Sequence, residues 1–179
     1  MPGVRLTEKF LGNGKYYSDN KIVFDDVTIN QTLVLAKLFA KFLRASDPVL
    51  LSGEIGSGKT FFSRGVIQEM MNSQGILISE VPSPTFTIVQ PYDSLSPSVW
   101  HLDLYRLSDP DEIIDLDLEA ILKTGICLIE WPSKMGLHVP KRNILISFDY
   151  VEKHYDKRKI YIEFSGADWM HISKEIIKK

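Results

Sequence analysis

Residues 50–65 read LLSGEIGSGKTFFSRG, and this stretch decides the fold. It joins a short apolar run, which predicts a β-strand, to a run of helical character that continues to Gly75. Residues 53–60 match the pattern G-x-x-x-x-G-K-[ST] at every position, and they stand between strand and helix as that pattern requires. The alternative interpretation is a glycine-rich turn at a helix start. A complete match in the expected context favours a phosphate-binding loop, or P-loop.

The residue types in this loop supply the chemistry that phosphate binding needs. Glycines permit backbone conformations with positive φ, so successive N–H groups can converge on phosphate oxygens, and a helix N-terminus attracts anions. Lys59 is expected to reach the β- and γ-phosphates, and the Thr60 hydroxyl is expected to bind Mg²⁺. The predicted nucleotide-binding residues of the loop are Glu54, Ile55, Gly56, Ser57, Gly58, Lys59 and Thr60.

Two acidic residues follow apolar runs elsewhere in the chain. SVWHLDLYR, residues 98–106, contains Asp103, and GICLIEW, residues 125–131, contains Glu130. Each carboxylate is expected at a strand end, where acids approach the metal ion beside a P-loop. Either acid alone could equally be a solvated residue or a helix cap. Together with the loop, Asp103 and Glu130 are candidate Mg²⁺ ligands with Thr60, and candidate catalytic residues with Lys59.

Strand and helix patterns alternate along the rest of the chain. A strand at residues 21–25 precedes a helix for which Thr28 is the expected N-cap. Residues 85–92 and 98–107 predict one hairpin, and residues 143–151 and 158–166 predict a second. Residues 108–122 predict one helix that opens with Ser108, Pro110 and early acids, and a short helix is expected from Asp168.

These elements predict the fold class and the domain limits. Residues 1–20 lack periodicity and predict a flexible N-terminal arm, while residues 21–179 predict a single domain. The expected fold class is α/β, with one P-loop nucleotide-binding domain whose mixed parallel and antiparallel sheet is covered by helices.

Composition narrows the range of partners and compartments. The 21 Lys and Arg residues balance 23 Asp and Glu residues for a formal charge of -2, so the overall field does not draw the protein to nucleic acid or an anionic membrane. No apolar run approaches the length of a membrane span. The one cysteine, Cys127, lies in a predicted buried strand and cannot form an internal disulfide. The expected location is the cytoplasm.

Four blocks of sequence carry a resemblance to a known family. GEIGSGKTFFSRG, SPTFTIVQPY, HLDLYRLSDPDE and LIEWP occur in the order typical of the TsaE family, formerly called YjeE, which are small bacterial ATPases needed to make threonylcarbamoyladenosine in tRNA. The similarity covers residues 21–165. It implies a P-loop ATPase domain with ATP and Mg²⁺ as cofactors. It also implies slow hydrolysis in support of a multiprotein complex that transfers a threonylcarbamoyl group to adenosine 37 of tRNAs.

The resemblance assigns roles to individual residues. Asp103 matches the family's Walker-B-like acid, and Glu130 matches its second essential acid near Mg²⁺. Thr85 and Thr87, in SPTFT, match a segment that resembles a nucleotide-sensing switch, although residue chemistry alone favours a turn that enters a strand. Trp131 is expected beside the nucleotide, although a tryptophan after a strand is more often part of the core or its rim. Arg64 and Arg106 match family arginines, for which a phosphate role and a salt bridge are equally open.

Three functional interpretations remain after this comparison. The first is an ATPase that acts with partners of the TsaB and TsaD type, with indirect contact to tRNA. The second is a P-loop kinase of small molecules, but its arginines do not cluster as those of a kinase lid would. The third is a nucleotide-dependent binding module whose hydrolysis is incidental.

Overall fold

The computed structural model describes residues 15–18, 20–78 and 80–177 of the 179-residue chain. The strands are β1 (Lys15–Ser18), β2 (Lys21–Thr28), β3 (Pro48–Gly53), β4 (Val89–Tyr92), β5 (Val99–Asp103), β6 (Ile126–Glu130), β7 (Asn143–Val151) and β8 (His154–Ser165). The helices are α1 (Ile29–Phe42), α2 (Lys59–Ser73), α3 (Glu112–Asp115), α4 (Leu118–Thr124) and α5 (Met170–Ile177). A 3₁₀ segment covers Pro132–His138.

All eight strands form one mixed sheet in the order β1-β2-β8-β7-β3-β6-β5-β4. Its four central strands, β7, β3, β6 and β5, are parallel to one another. The outer pairs are antiparallel, including the β4–β5 and β7–β8 hairpins. The predicted α/β class, with a mixed sheet and flanking helices, is confirmed.

The central strands are buried on both faces, as parallel strands between helical layers require. In β3, Val49 and Leu51 pack into an apolar layer with α1, α2 and α5, while Leu50 packs into the opposite layer with α3, α4 and the 3₁₀ segment. In β6, Leu128 and Cys127 divide between the two layers in the same way. The sheet therefore separates two cores.

Helix α1 begins where the sequence predicts. Thr28 is its N-cap, and its side chain and that of Gln31 satisfy each other's backbone N–H groups in a capping box. The helix packs closely on α2 at Gly65, where a side chain would not fit: an added Cβ would lie only 2.9 Å from the Ala36 Cβ. This contact holds α2, which begins at Lys59, close against α1.

The single helix predicted over residues 108–122 is wrong, because two short helices occupy this range. Asp117, with φ of 48°, separates α3 from α4 in a left-handed conformation that Asp adopts more readily than most residues. Ile113 and Leu118 both enter the same apolar layer. On one continuous helix, five residues of separation would place them about 140° apart. The break lets both side chains be buried and leaves six acids exposed: Asp109, Asp111, Glu112, Asp115, Asp117 and Glu119.

The strand predicted at residues 85–92 is shorter in the structure, since β4 begins at Val89. Residues 84–87 form a turn closed by a 2.7 Å hydrogen bond from the Ile88 N–H to the Pro84 carbonyl. SPTFT therefore forms the turn, and the predicted strand follows it from Val89. The predicted pairing of this strand with β5 is confirmed.

The sheet begins at Lys15 rather than at Lys21, because β1 lies inside the range predicted as an N-terminal arm. Residues 1–14 and 19 of that arm lie outside the described residues. Within the described ranges, no helix has both the length and the apolar composition that crossing a membrane requires.

Candidate functional site

Three neighbouring parallel strands end at the same edge of the sheet. Strand β6 lies between β3 and β5, with Glu130 in register with Leu51 on one side and Asp103 on the other. The P-loop follows β3 at this edge and leads into α2. Because the carboxyl ends of parallel strands meet at one edge, the topology brings both predicted acids to the loop.

The glycines of the P-loop have conformations that a side chain would disturb. Gly53 has φ of 140°, and a Cβ added there would lie 2.5 Å from the Phe148 carbonyl oxygen and 2.6 Å from the Ser57 Oγ. Gly58, with φ of 119°, is the N-cap of α2 and provides no side-chain cap. The backbone N–H groups of the first helical turn therefore remain available to an anion.

Lys59 lies in the middle of the site and is only 4% exposed. Its Nζ donates to the carbonyl oxygens of Gly53 at 2.7 Å and Glu54 at 2.8 Å, and it lies 4.0 Å from the centre of the Trp131 ring. Burial lowers the pKa of Lys59, while the carboxylates of Glu130 and Asp103 act in the opposite direction. An ammonium group has three N–H donors, so one remains for a ligand.

Glu130 connects the P-loop to the sheet. The residue is 1% exposed, and its carboxylate accepts a hydrogen bond from the Thr60 hydroxyl at 2.9 Å. The other oxygen accepts from His101 Nε2 at 2.8 Å, and His101 is fully buried. Sequence reasoning missed His101, although it lies two residues before Asp103 and thus on the same face of β5.

Asp103 is 4% exposed and is held by the SPTFT turn. Its Oδ2 accepts from the Thr85 hydroxyl at 2.9 Å and from the Ser83 hydroxyl at 3.3 Å. Its Oδ1 accepts from the Tyr105 N–H at 3.1 Å. Ser83 and Tyr105 are additional site residues, and both stand in the sequence blocks that contain Thr85 and Asp103.

These side chains surround one open cavity of about 200 Å³. Its lining residues are Ile55, Gly56, Lys59, Thr60, Ser83, Thr85, Asp103, Tyr105, Glu130 and Trp131. Trp131 adopts a left-handed conformation, with φ of 61°, and its ring centre lies 4.9 Å from that of Tyr105. The structure thus brings Lys59, both acids and most of the predicted nucleotide-binding residues together.

Three residues that the family resemblance singles out do not line the cavity. Thr87 is not among the residues that line the cavity. Arg64 donates from Nε to the Val81 carbonyl at 2.9 Å, and the Arg106 guanidinium lies 5.6 Å from the centre of the Phe86 ring. Neither arginine lines the cavity, so Lys59 is its one lining cation among the described residues.

The oxygen atoms at the site suit Mg²⁺ that is shared with a phosphate. Thr60, Asp103 and Glu130 offer one hydroxyl and two carboxylates. In the part of the chain that the structure describes, no group of three or more His, Cys, Asp or Glu side chains could hold a metal ion by itself. Mg²⁺ typically takes one or two carboxylates and completes its octahedral shell with substrate phosphates and water. These residues could therefore hold Mg²⁺ together with a nucleotide.

Comparison with known proteins identifies relatives of this chain. The protein-family model described as "Threonylcarbamoyl adenosine biosynthesis protein TsaE" matches residues 27–160. Two curated proteins named "tRNA threonylcarbamoyladenosine biosynthesis protein TsaE" are similar to it. That of Rickettsia felis is 43% identical over 101 residues, which are 56% of this chain and 57% of that protein. That of Bacillus subtilis is 35% identical over 122 residues, which are 66% of this chain and 73% of that protein.

The fold has a counterpart among solved structures. The crystal structure of YdiB from Bacillus subtilis superposes with a TM-score of 0.68 and 25% sequence identity, covering 92% of this chain and 95% of that one. The family match contains the P-loop, both acids and Trp131. From the match over residues 27–160 and the similarity to these proteins, the chain belongs to the TsaE family.

Proposed function

We propose that this protein binds ATP with Mg²⁺ in the cytoplasm and hydrolyses it slowly in support of threonylcarbamoyladenosine modification of adenosine 37 in tRNAs. The observation that carries the proposal is the meeting of Lys59, Thr60, Asp103 and Glu130 in one cavity beside the P-loop. Membership of a family described by threonylcarbamoyl adenosine biosynthesis supports the tRNA pathway.

Each residue of the site has a defined task in this proposal. The P-loop N–H groups and Lys59 bind the phosphates, and Thr60, Asp103 and Glu130 would hold Mg²⁺. When bound, Mg²⁺ would neutralise the negative charge that develops on the phosphate oxygens. The hydrogen bonds from Thr60 and His101 fix the orientation of the Glu130 carboxylate, which can then accept a hydrogen bond from an attacking water molecule.

The residues that line the cavity explain why we expect ATP hydrolysis to be slow. An arginine placed against the transferred phosphoryl group contributes about 10³–10⁵ to turnover in related chemistry. No arginine is among the described residues that line this cavity. The protein alone therefore lacks one source of transition-state stabilisation, and a partner that inserts a cation would raise the rate.

The same feature favours an ATPase over a small-molecule kinase. A kinase must neutralise the transferred group while it excludes water, and arginines from a lid commonly perform that task. Arg64 and Arg106, the arginines closest in sequence to the site motifs, contact Val81 and Phe86 instead. The kinase is accordingly the weaker candidate.

The SPTFT turn beside the cavity offers a contact surface for the proposed partners of the TsaB and TsaD type. Thr85 is bonded to Asp103, while its neighbour Phe86 is 85% exposed on the same turn. A change at the γ-phosphate that displaces Thr85 would also move Phe86, so a partner in contact with Phe86 could distinguish ATP from ADP. Contact with tRNA is expected to be indirect, since a formal charge of -2 provides little counterion release.

A phosphate-release assay tests this proposal. The protein is measured alone and with purified TsaB- and TsaD-type proteins, with ATP and Mg²⁺ in both cases. We expect slow release alone and faster release with the partners. Undetectable ATP binding by calorimetry would refute the nucleotide role, and phosphate transfer to a small-molecule acceptor without partners would favour the kinase.

A further inference from the structure

The outer side of the P-loop is held by two side chains of the β7–β8 hairpin. The Tyr150 hydroxyl donates to the Ile55 carbonyl oxygen at 2.9 Å. Arg158 donates from Nε to the Ser57 carbonyl at 2.9 Å and from Nη2 to the Gly56 carbonyl at 3.2 Å. Three successive carbonyl groups of the loop are therefore held from outside the cavity.

Tyr150 and Arg158 form one rigid unit. They are paired across the β7–β8 ladder, and the guanidinium carbon lies 4.2 Å from the centre of the Tyr150 ring. Arg158 Nη1 also donates to the carbonyls of Tyr155 and Lys157, each at 2.7 Å. Because these bonds fix the guanidinium plane, its remaining donors meet the loop in one orientation.

The geometry of the peptide bond turns this outer contact into an effect inside the cavity. In a planar trans peptide, the C=O of one residue and the N–H of the next point in opposite directions. Holding the carbonyls of Ile55 and Ser57 outward therefore directs the N–H groups of Gly56 and Gly58 toward the phosphate side of the loop. The Ser57 N–H, which follows the Gly56 carbonyl, is already used within the loop, because it donates to the Glu54 carbonyl at 3.1 Å.

The loop needs such support because its glycines have little conformational preference of their own. Gly56 and Gly58 have φ of 74° and 119°, and glycine loses more conformational entropy on ordering than other residues. A Cβ on Gly56 would lie 3.1 Å from the Tyr150 hydroxyl oxygen, so the hydroxyl lies directly against this part of the loop. The hairpin thus contacts the part of the loop that has the least conformational preference of its own.

We propose that Tyr150 and Arg158 are positioning residues of the phosphate site, which hold the P-loop N–H groups in the orientation that binds phosphate. This inference rests on the proposed nucleotide binding. It gives the β7–β8 hairpin, to which the sequence motifs assign no role, a part in ligand affinity.

Two substitutions test the hydrogen bonds to the loop separately from the aromatic packing of Tyr150 and the positive charge of Arg158. Tyr150→Phe keeps the aromatic ring and removes only the donor to Ile55, and we expect ATP affinity to fall about two- to tenfold. Arg158→Lys keeps the positive charge and loses the planar fork, and we expect a fall of about tenfold or more. Tyr155→Phe is the matched control, since the same change is made on the same hairpin at a side chain that is 83% exposed.

Calorimetric titration with ATP and with inorganic pyrophosphate, both with Mg²⁺, measures the effect in the full chain. Tyr150→Phe should weaken both ligands by the same factor, because pyrophosphate contacts the loop without a nucleoside. The NMR signals of the Gly56 and Gly58 amides should also shift in the ligand-free Tyr150→Phe protein while its melting temperature is kept.

Three results would overturn the proposal. The first is unchanged affinity in both Tyr150→Phe and Arg158→Lys. The second is an equal loss of affinity in Tyr155→Phe. The third is a failure of the unmodified protein to bind ATP, which would refute the proposed function and, with it, this role for the hairpin.

Discussion

Replacing Lys59 with methionine removes the ammonium group from the centre of the site and keeps an unbranched side chain. The ammonium donates to two P-loop carbonyls, and its third N–H is available to a phosphate oxygen. A hydrogen bond to a charged group contributes about 1.5–3 kcal/mol. Since 1.4 kcal/mol corresponds to a factor of ten, loss of this one contact should weaken ATP binding about 10- to 150-fold.

Stability should change much less than affinity. Burial lowers the pKa of Lys59, so the charged form opposes folding, and methionine removes that penalty. The substitution also removes two hydrogen bonds, although the Glu54 carbonyl still accepts from the Ser57 N–H. These effects have opposite signs, so we expect the free energy of unfolding to stay within about 1 kcal/mol, or about 2–4 °C in Tm for a chain of this size.

Calorimetric titration with ATP and Mg²⁺ gives the affinity, and circular dichroism gives the Tm. Lys41→Met is the matched control, because it changes the net charge equally at an exposed position of α1. ATP affinity in Lys59→Met equal to that of the unmodified protein would refute the assignment of this loop. An equal loss in Lys41→Met would show that net charge, rather than the contact, determines the affinity.

Three further predictions concern the acids, the SPTFT turn and the buried thiol. Asp103→Asn and Glu130→Gln should lower phosphate release far more than ATP affinity, because their charge matters most as charge develops on the phosphate; variants that release phosphate at the unmodified rate would contradict this. Thr85→Val should lower phosphate release about tenfold, because it removes the shortest of the three hydrogen bonds that orient Asp103, whereas Thr87→Val, as the control on the same turn, should not. Burial raises the pKa of Cys127 to about 12, so a thiol reagent at pH 8 should label it only after unfolding in urea, and rapid labelling of the folded protein would argue against this packing.

The sequence predicted the parts of the site that local patterns specify. Glycine spacing predicts a P-loop between β3 and α2, and apolar runs that end in Asp103 and Glu130 place both acids at strand ends. Parallel pairing of β3, β6 and β5 then brings them together. The break at Asp117 was not predicted, because the choice between one helix and two depends on which apolar layer receives Ile113 and Leu118.

The supporting residues could not be predicted because their partners are distant in the chain. Tyr150 and Ile55 are separated by 95 positions, and Arg158 and Ser57 by 101. Their contacts depend on the place of the β7–β8 hairpin beside β3, which follows from strand order rather than from any short motif. His101 is the exception, since its position two residues before Asp103 is visible in the sequence.

The two short helices after β5 also restrict how the protein can approach a polyanion. Residues 107–122 contain six exposed acids and no lysine or arginine, and they follow directly from the strand that carries Asp103. Lys123, in the last turn of α4, pairs with one of these acids, Glu119, at 3.4 Å, so the acids remain in excess on this face. An RNA backbone brought within about 8 Å of this face at physiological ionic strength is repelled before contact. We therefore expect an RNA backbone to be disfavoured beside α3 and α4, so these helices would restrict the orientation of the protein toward a polyanion without touching it.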